Sequence, residues 1–257
     1  MKFITIGDSH SCNGWNEKVS IIHIGPSLCY GFNRKILEYN NNILLKTPIN
    51  NEDVLIFCFG EIDCRCHIHK HITPEKPYTT IIDELTDNYI KAIKKFIEIN
   101  NINPKISIYN IVPPVSSEIG YKYTDLPLLG TNEERTQYVL YFNKKIKDKC
   151  FENNYIFFDI YDKYTDENGF LNRDFADDTV HIRDGRYIDD FLDKILCSVG
   201  TPEGRSNGES RKGDAALGGS AFSQQDYIPP IIDMPLPFGR FTEKLYQKRR
   251  YNTLRFT

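Results

Sequence analysis

Ser9 stands just past a short apolar run, in Gly7-Asp8-Ser9-His10-Ser11. A serine hydroxyl becomes a nucleophile when a base takes its proton and a third group orients that base. The candidate base lies far along the chain, in Asp178-Thr179-Val180-His181. Histidine is the usual general base, and Asp178 is placed to orient and stabilise its imidazole. Ser9, His181 and Asp178 are therefore the parts of an acyl-transfer triad. Plainer roles compete: Asp8 or Ser9 as a helix N-cap, and the Asp177-Asp178 pair as acid facing a helix N-terminus. The two segments occurring together favour the triad.

A nucleophile of this kind also needs donors for the developing oxyanion. Gly25 and the segment Phe59-Gly60-Glu61-Ile62-Asp63-Cys64-Arg65 are candidates to supply backbone N–H groups. Glu61, Asp63 and Arg65 also read as an ion-pair network that steadies a strand end, since charges there are costly to bury alone. Arg65 is equally suited to an anionic group on a substrate. His10, beside the serine, is either a pocket residue or an ordinary loop residue.

The elements that must position these residues alternate. Strands are expected at Lys2–Ile6, Ser20–Ile24, Asp53–Phe59, Lys105–Val112 and Tyr155–Ile160, short runs rich in β-branched and aromatic residues. Helices are expected at 79–100, 132–153 and 184–197, where apolar residues recur at spacings of three and four. Such alternation predicts an α/β fold, a parallel sheet covered by helices on both faces, with the site at the carboxyl ends of the strands. Ser9 follows the first strand and Gly60 the third.

Four blocks together resemble the SGNH (GDSL-like) hydrolases: Gly7-Asp8-Ser9-His10, Gly25, Gly60-Glu61-Ile62-Asp63 and Asp178-Thr179-Val180-His181, in family order over residues 1 to about 198. The resemblance implies a three-layer α/β/α, flavodoxin-like fold with a five-stranded, mostly parallel sheet. It also implies hydrolysis of acyl esters, often acetyl groups on carbohydrate, with no metal or other cofactor. One position departs. The family's third block carries an Asn that donates to the oxyanion, and here it is Ile62. Loss of one such donor costs about 100- to 1000-fold in turnover. Arg65 and the Ser9 backbone N–H are candidates to replace it.

Composition narrows the alternatives. Lys and Arg number 32 against 35 Asp and Glu, a net charge of -3 that argues against general nucleic-acid binding. No run reaches the roughly 20 apolar residues of a membrane span. The N-terminal apolar run meets Asp8 too soon for a signal peptide, so a cytoplasmic location is expected. The odd count of seven cysteines, with Cys58, Cys150 and Cys197 in apolar patterns, reads as buried thiols. Cys64-Arg65-Cys66-His67-Ile68-His69-Lys70-His71 invites a metal, but it lacks the ligand spacing and second ligand pair of structural zinc sites. A loop beside the active-site mouth is expected instead.

Composition changes after Val199. Residues 199–226 read as a flexible Gly/Ser/charged linker, and 227–257 as a Pro-rich, basic tail able to dock a partner. From 199 onward nine Lys and Arg face six Asp and Glu, while the rest of the chain carries 23 and 29. The expected function is a serine esterase removing small acyl groups from a sugar or glycan. An acyltransferase with the same triad, a non-catalytic glycan- or protein-binding module, and a metal-dependent hydrolase are the alternatives.

Overall fold

The computed structural model of the chain describes residues 1–32, 34, 48–121 and 125–199. The expected linker beyond Val199 and the Pro-rich tail lie outside the described residues.

Five strands form one sheet: β1 (Phe3–Gly7), β2 (Val19–His23), β3 (Val54–Cys58), β4 (Lys105–Tyr109) and β5 (Ile156–Phe158). Their order is β2-β1-β3-β4-β5 and every pairing is parallel. β1 is fully buried, as is β3. Their alternate residues serve two cores. Ile4, Ile6, Leu55 and Phe57 pack into one, and Phe3, Val54, Ile56 and Cys58 into the other. That is the period-2 pattern of a strand covered on both faces.

Helices α1 (Tyr78–Asn100) and α2 (Asn132–Glu152) cover the first face, and α3 (Arg186–Val199) the second. Ile188, Leu192 and Ile195 are the buried stripe of α3, each stabilising the fold by about 1.5–3 kcal/mol when removed from water. A capping box starts α2. Thr131 Oγ1 accepts the Glu134 N–H, and Glu134 accepts the Thr131 N–H. α1 ends where Asn101 takes a left-handed conformation, φ 50°. The three layers match the expected architecture.

Three expected strands are shorter in the structure: β3 by one residue at each end, and β4 and β5 by more, for a reason outside their own sequence. After Tyr109, Asn143 from α2 accepts the Ile111 N–H at 2.8 Å. Asn110 in turn accepts the Ile160 N–H at 2.9 Å. Side chains replace the ladder partners, so β4 and β5 stop.

No helix of the described residues is long and apolar enough to cross a membrane. All seven cysteines are thiols. Cys58 and Cys150 are buried as expected, but Cys197 is exposed on α3, off its apolar stripe.

Candidate active site

The strand register fixes where the chemistry can happen. Gly7 at the end of β1 lies between His23 of β2 and Cys58 of β3. Gly7 is obligatory, because a Cβ there would sit 2.0 Å from the Cys58 carbonyl oxygen. Ser9, Gly25 and Gly60 each lie two residues beyond this aligned row. The chain therefore delivers all three to one rim of the sheet. Because β2 and β3 flank β1 on opposite sides, the rim is also where the connections diverge, the usual crevice of an open α/β sheet.

Ser9 opens a short 3-10 turn, Ser9–Ser11. Asp8 is its N-cap and accepts the His10 N–H at 2.8 Å. The turn is tied down by Ser11 Oγ donating to the Asp8 carbonyl and Thr5 Oγ1 donating to the Ser11 carbonyl, both at 2.7 Å. The cap role thus falls to Asp8, and the Ser9 hydroxyl is left for another partner. That partner is His181, whose Nε2 lies 2.8 Å from Ser9 Oγ.

His181 sits on a tight loop closed by an antiparallel bridge between Ala176 and Ile182. Its Nδ1 is 2.9 Å from Asp177 Oδ2, not from Asp178. The expected carboxylate is off by one residue. The bridge sets Asp177 and His181 opposite each other across the neck of the loop, where the Asp177 N–H donates to the His181 carbonyl. Asp177, Thr179 and His181 share the active side, Val180 turns into the core, and Asp178 is exposed. Neither aspartate of the pair faces the N-terminus of α3. There Asp184 accepts the Arg186 N–H.

Thr179 completes the unit. Its Oγ1 lies 2.7 Å from Asp177 Oδ1 and 2.9 Å from His181 Nδ1. A carboxylate opposite Nδ1 keeps the proton there and leaves the Nε2 lone pair for the serine O–H. Burial pushes the His181 imidazole below its ordinary value, and the charge of His10 adds to this, while Asp177 pulls partly back. Burial alone would raise the Asp177 carboxyl, but hydrogen bonds from Thr179 and His181 outweigh it and hold it at about 2. His181 is thus neutral, and Asp177 ionised, at ordinary pH.

The second set of expected site residues divides. Among the described residues, no acceptor stands against the backbone N–H of Ser9, Gly25 or Gly60. Gly60 has φ 111°, and a Cβ there would meet Phe142 at 2.8 Å. Glycine is what lets this strand end turn. Ile62 is buried in the core. Arg65 is not available as an oxyanion donor. It forms a bidentate pair with Glu61 at 2.6 and 3.0 Å and also donates to Tyr121 Oη and the Leu126 carbonyl. Burial would raise the Glu61 carboxyl, but Arg65 and then His10 hold it low. Asp63 points away from the rim. It accepts the Cys29 N–H at 2.7 Å and the Tyr30 N–H at 3.3 Å, capping the helical turn that begins there. Burial pushes its carboxyl up to about 7.

The Cys/His run turns out to be helical, beginning with a π-helical stretch at Asp63–His67. Its side chains diverge. Cys66 Sγ donates to the Ile62 carbonyl, and His69 Nδ1 meets Tyr138 Oη. Among the described residues no three His, Cys, Asp or Glu side chains converge as metal ligands would.

Asp177 and Thr179 were not singled out by sequence motif. The signal available was a carboxylate four residues before His181, the separation that a tight loop brings face to face. Asn13, whose Nδ2 donates to the Ser9 carbonyl at 2.5 Å, gave no such signal.

No family model matches the chain, and no curated protein matches it. Solved structures do. A Streptococcus pneumoniae protein described as a platelet activating factor superposes with TM-score 0.52 at 18% identity, over 76% of this chain and 83% of that one. A Bacteroides fragilis protein described as an acylhydrolase gives 0.50 at 16%, over 77% and 86%. A GDSL-like lipase from Bacteroides thetaiotaomicron gives 0.50 at 16%, over 77% and 87%. The chain has the fold of the SGNH/GDSL-like hydrolases. At such identities the likeness is one of fold. Within that SGNH-like frame the four motif blocks keep their order, with two departures: Ile62 in the third, and in the fourth a carboxylate partner, Asp177, one residue earlier than the motif would have it.

Proposed function

We propose that the chain is a serine ester hydrolase acting on small acyl groups, acetyl above all, carried by a sugar or glycan. The observation that carries this reading is the continuous relay Ser9 Oγ–His181 Nε2 at 2.8 Å and His181 Nδ1–Asp177 Oδ2 at 2.9 Å. In the first step Ser9 Oγ attacks the ester carbonyl carbon while His181 Nε2 takes its proton. The carbonyl oxygen becomes an oxyanion, for which the N–H groups of Ser9, Gly25 and Gly60 are the candidate donors. Collapse breaks the bond to the alcohol, and His181 returns the proton to that leaving oxygen. Water then attacks the acyl-Ser9 ester, with His181 again taking and returning the proton. Asp177 stays ionised and stabilises the imidazolium at each stage.

The immediate surroundings support a short acyl group on a polar alcohol. Ser9 is half-buried, Asn13 and His181 bond to it, and it lines neither of the clefts beside Glu61. A long alkyl chain would need an apolar groove at the nucleophile.

Purified full-length chain is expected to release acetate from acetylated sugars and to cleave p-nitrophenyl acetate faster than long-chain esters. His181 must be neutral to act, so activity is lost as pH falls through its folded value. The acid limb of kcat/KM is therefore expected below the ordinary imidazole value of about 6.5, with a plateau above it. No acetate release, or a limb above the ordinary imidazole range, would count against the reading.

A further inference from the structure

We propose that His10 is a standing imidazolium that spans the nucleophile turn and the base loop, a positioning residue that keeps His181 in its neutral, proton-accepting form. The inference rests on the esterase reading for its consequence, though not for its geometry.

Both ring nitrogens of His10 face acceptors. Nδ1 is 3.1 Å from Asp8 Oδ1, and Nε2 is 3.3 Å from the Val180 carbonyl oxygen. A neutral imidazole carries one N–H and could satisfy only one of them; an imidazolium satisfies both. Asp8 needs the charge as well. It is fully buried, and His10 is its sole ion-pair partner among the described residues. One Asp8 oxygen takes both the His10 main-chain N–H and the ring, and the other has no hydrogen-bond partner among the described residues. A buried carboxylate without a cation would be costly.

The charged groups around His10 come from three elements. Asp8 lies on its own turn. Glu61 approaches from the segment after β3, already paired with Arg65. From the 176–182 loop come the Val180 carbonyl and the His181 ring, whose centroid is 5.0 Å away. Burial would lower the His10 value, but Asp8 and then Glu61 raise it overall. Trp15 Nε1 donates to the His10 carbonyl at 2.9 Å and holds the residue in place. His10 thus ties the residue after Ser9 to the residue before His181, and its positive charge opposes a second one on His181.

The test uses the full chain labelled with 15N-histidine. At pH 7.5 the His10 ring, assigned by its absence in His10→Gln, is expected to show both nitrogens protonated. In His10→Gln the His181 imidazole is expected to titrate higher by about 0.6 to 2.4 pH units, the range Coulomb's law gives at this separation for effective dielectrics between 80 and 20. The acid limb of ester hydrolysis should move with it. Asp8→Asn/His10→Gln removes the buried anion along with the cation and serves if the single variant does not fold. One unprotonated His10 nitrogen at pH 7.5 would overturn the proposal. So would an unmoved His181 titration in the folded variant, the result of a purely structural role. Because protonation is read directly by NMR, absence of turnover would refute the esterase reading and leave this inference to be judged by itself.

Discussion

Asp177→Asn is expected to lower turnover by about two to four orders of magnitude, while Asp178→Asn leaves it within a few-fold. The two residues are chemically identical neighbours, so the contrast isolates geometry. Asp177 receives hydrogen bonds from the Thr179 N–H, the Thr179 hydroxyl and the His181 N–H, and its Oδ2 faces His181 Nδ1. An Asn there either presents its NH2 to the ring, inverting the tautomer that Ser9 needs, or keeps its oxygen there and loses the charge that stabilises the imidazolium. Thr179 Oγ1 still reaches Nδ1 and limits the loss. Asp178 is exposed and makes no contact with the ring. Steady-state kcat and KM on p-nitrophenyl acetate for both variants decide the matter. Equal losses, or a larger loss in Asp178→Asn, would return the role to the residue that the D-x-x-H spacing suggests.

Ser9→Ala is expected to cost more, about four to six orders of magnitude in kcat, because the covalent route disappears altogether. KM should change little, since the hydroxyl makes few contacts with the ground-state ester. The fold should also survive. The turn is held by Asp8, Ser11 and Thr5, and among the described residues the Ser9 side chain bonds to His181 alone. Kinetics measured alongside a thermal unfolding curve separate the two effects. Retained turnover in a well-folded Ser9→Ala protein would favour one of the other function classes.

The fold was legible because its information is local. β1 and β3 are apolar throughout and flanked by glycine or turn residues, and α1 and α2 carry stripes at helical spacing, so their limits fall within one or two residues of expectation. The ends of β4 and β5 were not legible. Asn110 and Asn143 terminate them from elsewhere in the chain. The pairing of Ser9 with His181 was legible for the same local reason, a strand end for Ser9 and a motif for His181. Asp177 and not Asp178 meets His181, because the D-x-x-H spacing treats the segment as a string, whereas the Ala176–Ile182 bridge sets residues 177 and 181 opposite each other. Arg65 and Asp63 looked like site residues from their position after β3. Tyr121, Leu126 and Glu61 claim the first, and the Cys29 and Tyr30 amides claim the second. Of these partners only Glu61, four residues before Arg65, was readable as part of a local ion-pair network; Tyr121, Leu126 and the Cys29 and Tyr30 amides are not encoded locally.

The central claim is that Ser9 is a nucleophile activated by His181. It is tested most directly by treating the full-length chain with a fluorophosphonate at neutral pH and mapping the adduct by peptide mass spectrometry. The expected result is a single phosphonyl group on the peptide containing Ser9, absent in Ser9→Ala and strongly slowed in His181→Ala. An unlabelled Ser9, or equal labelling with and without His181, would contradict it.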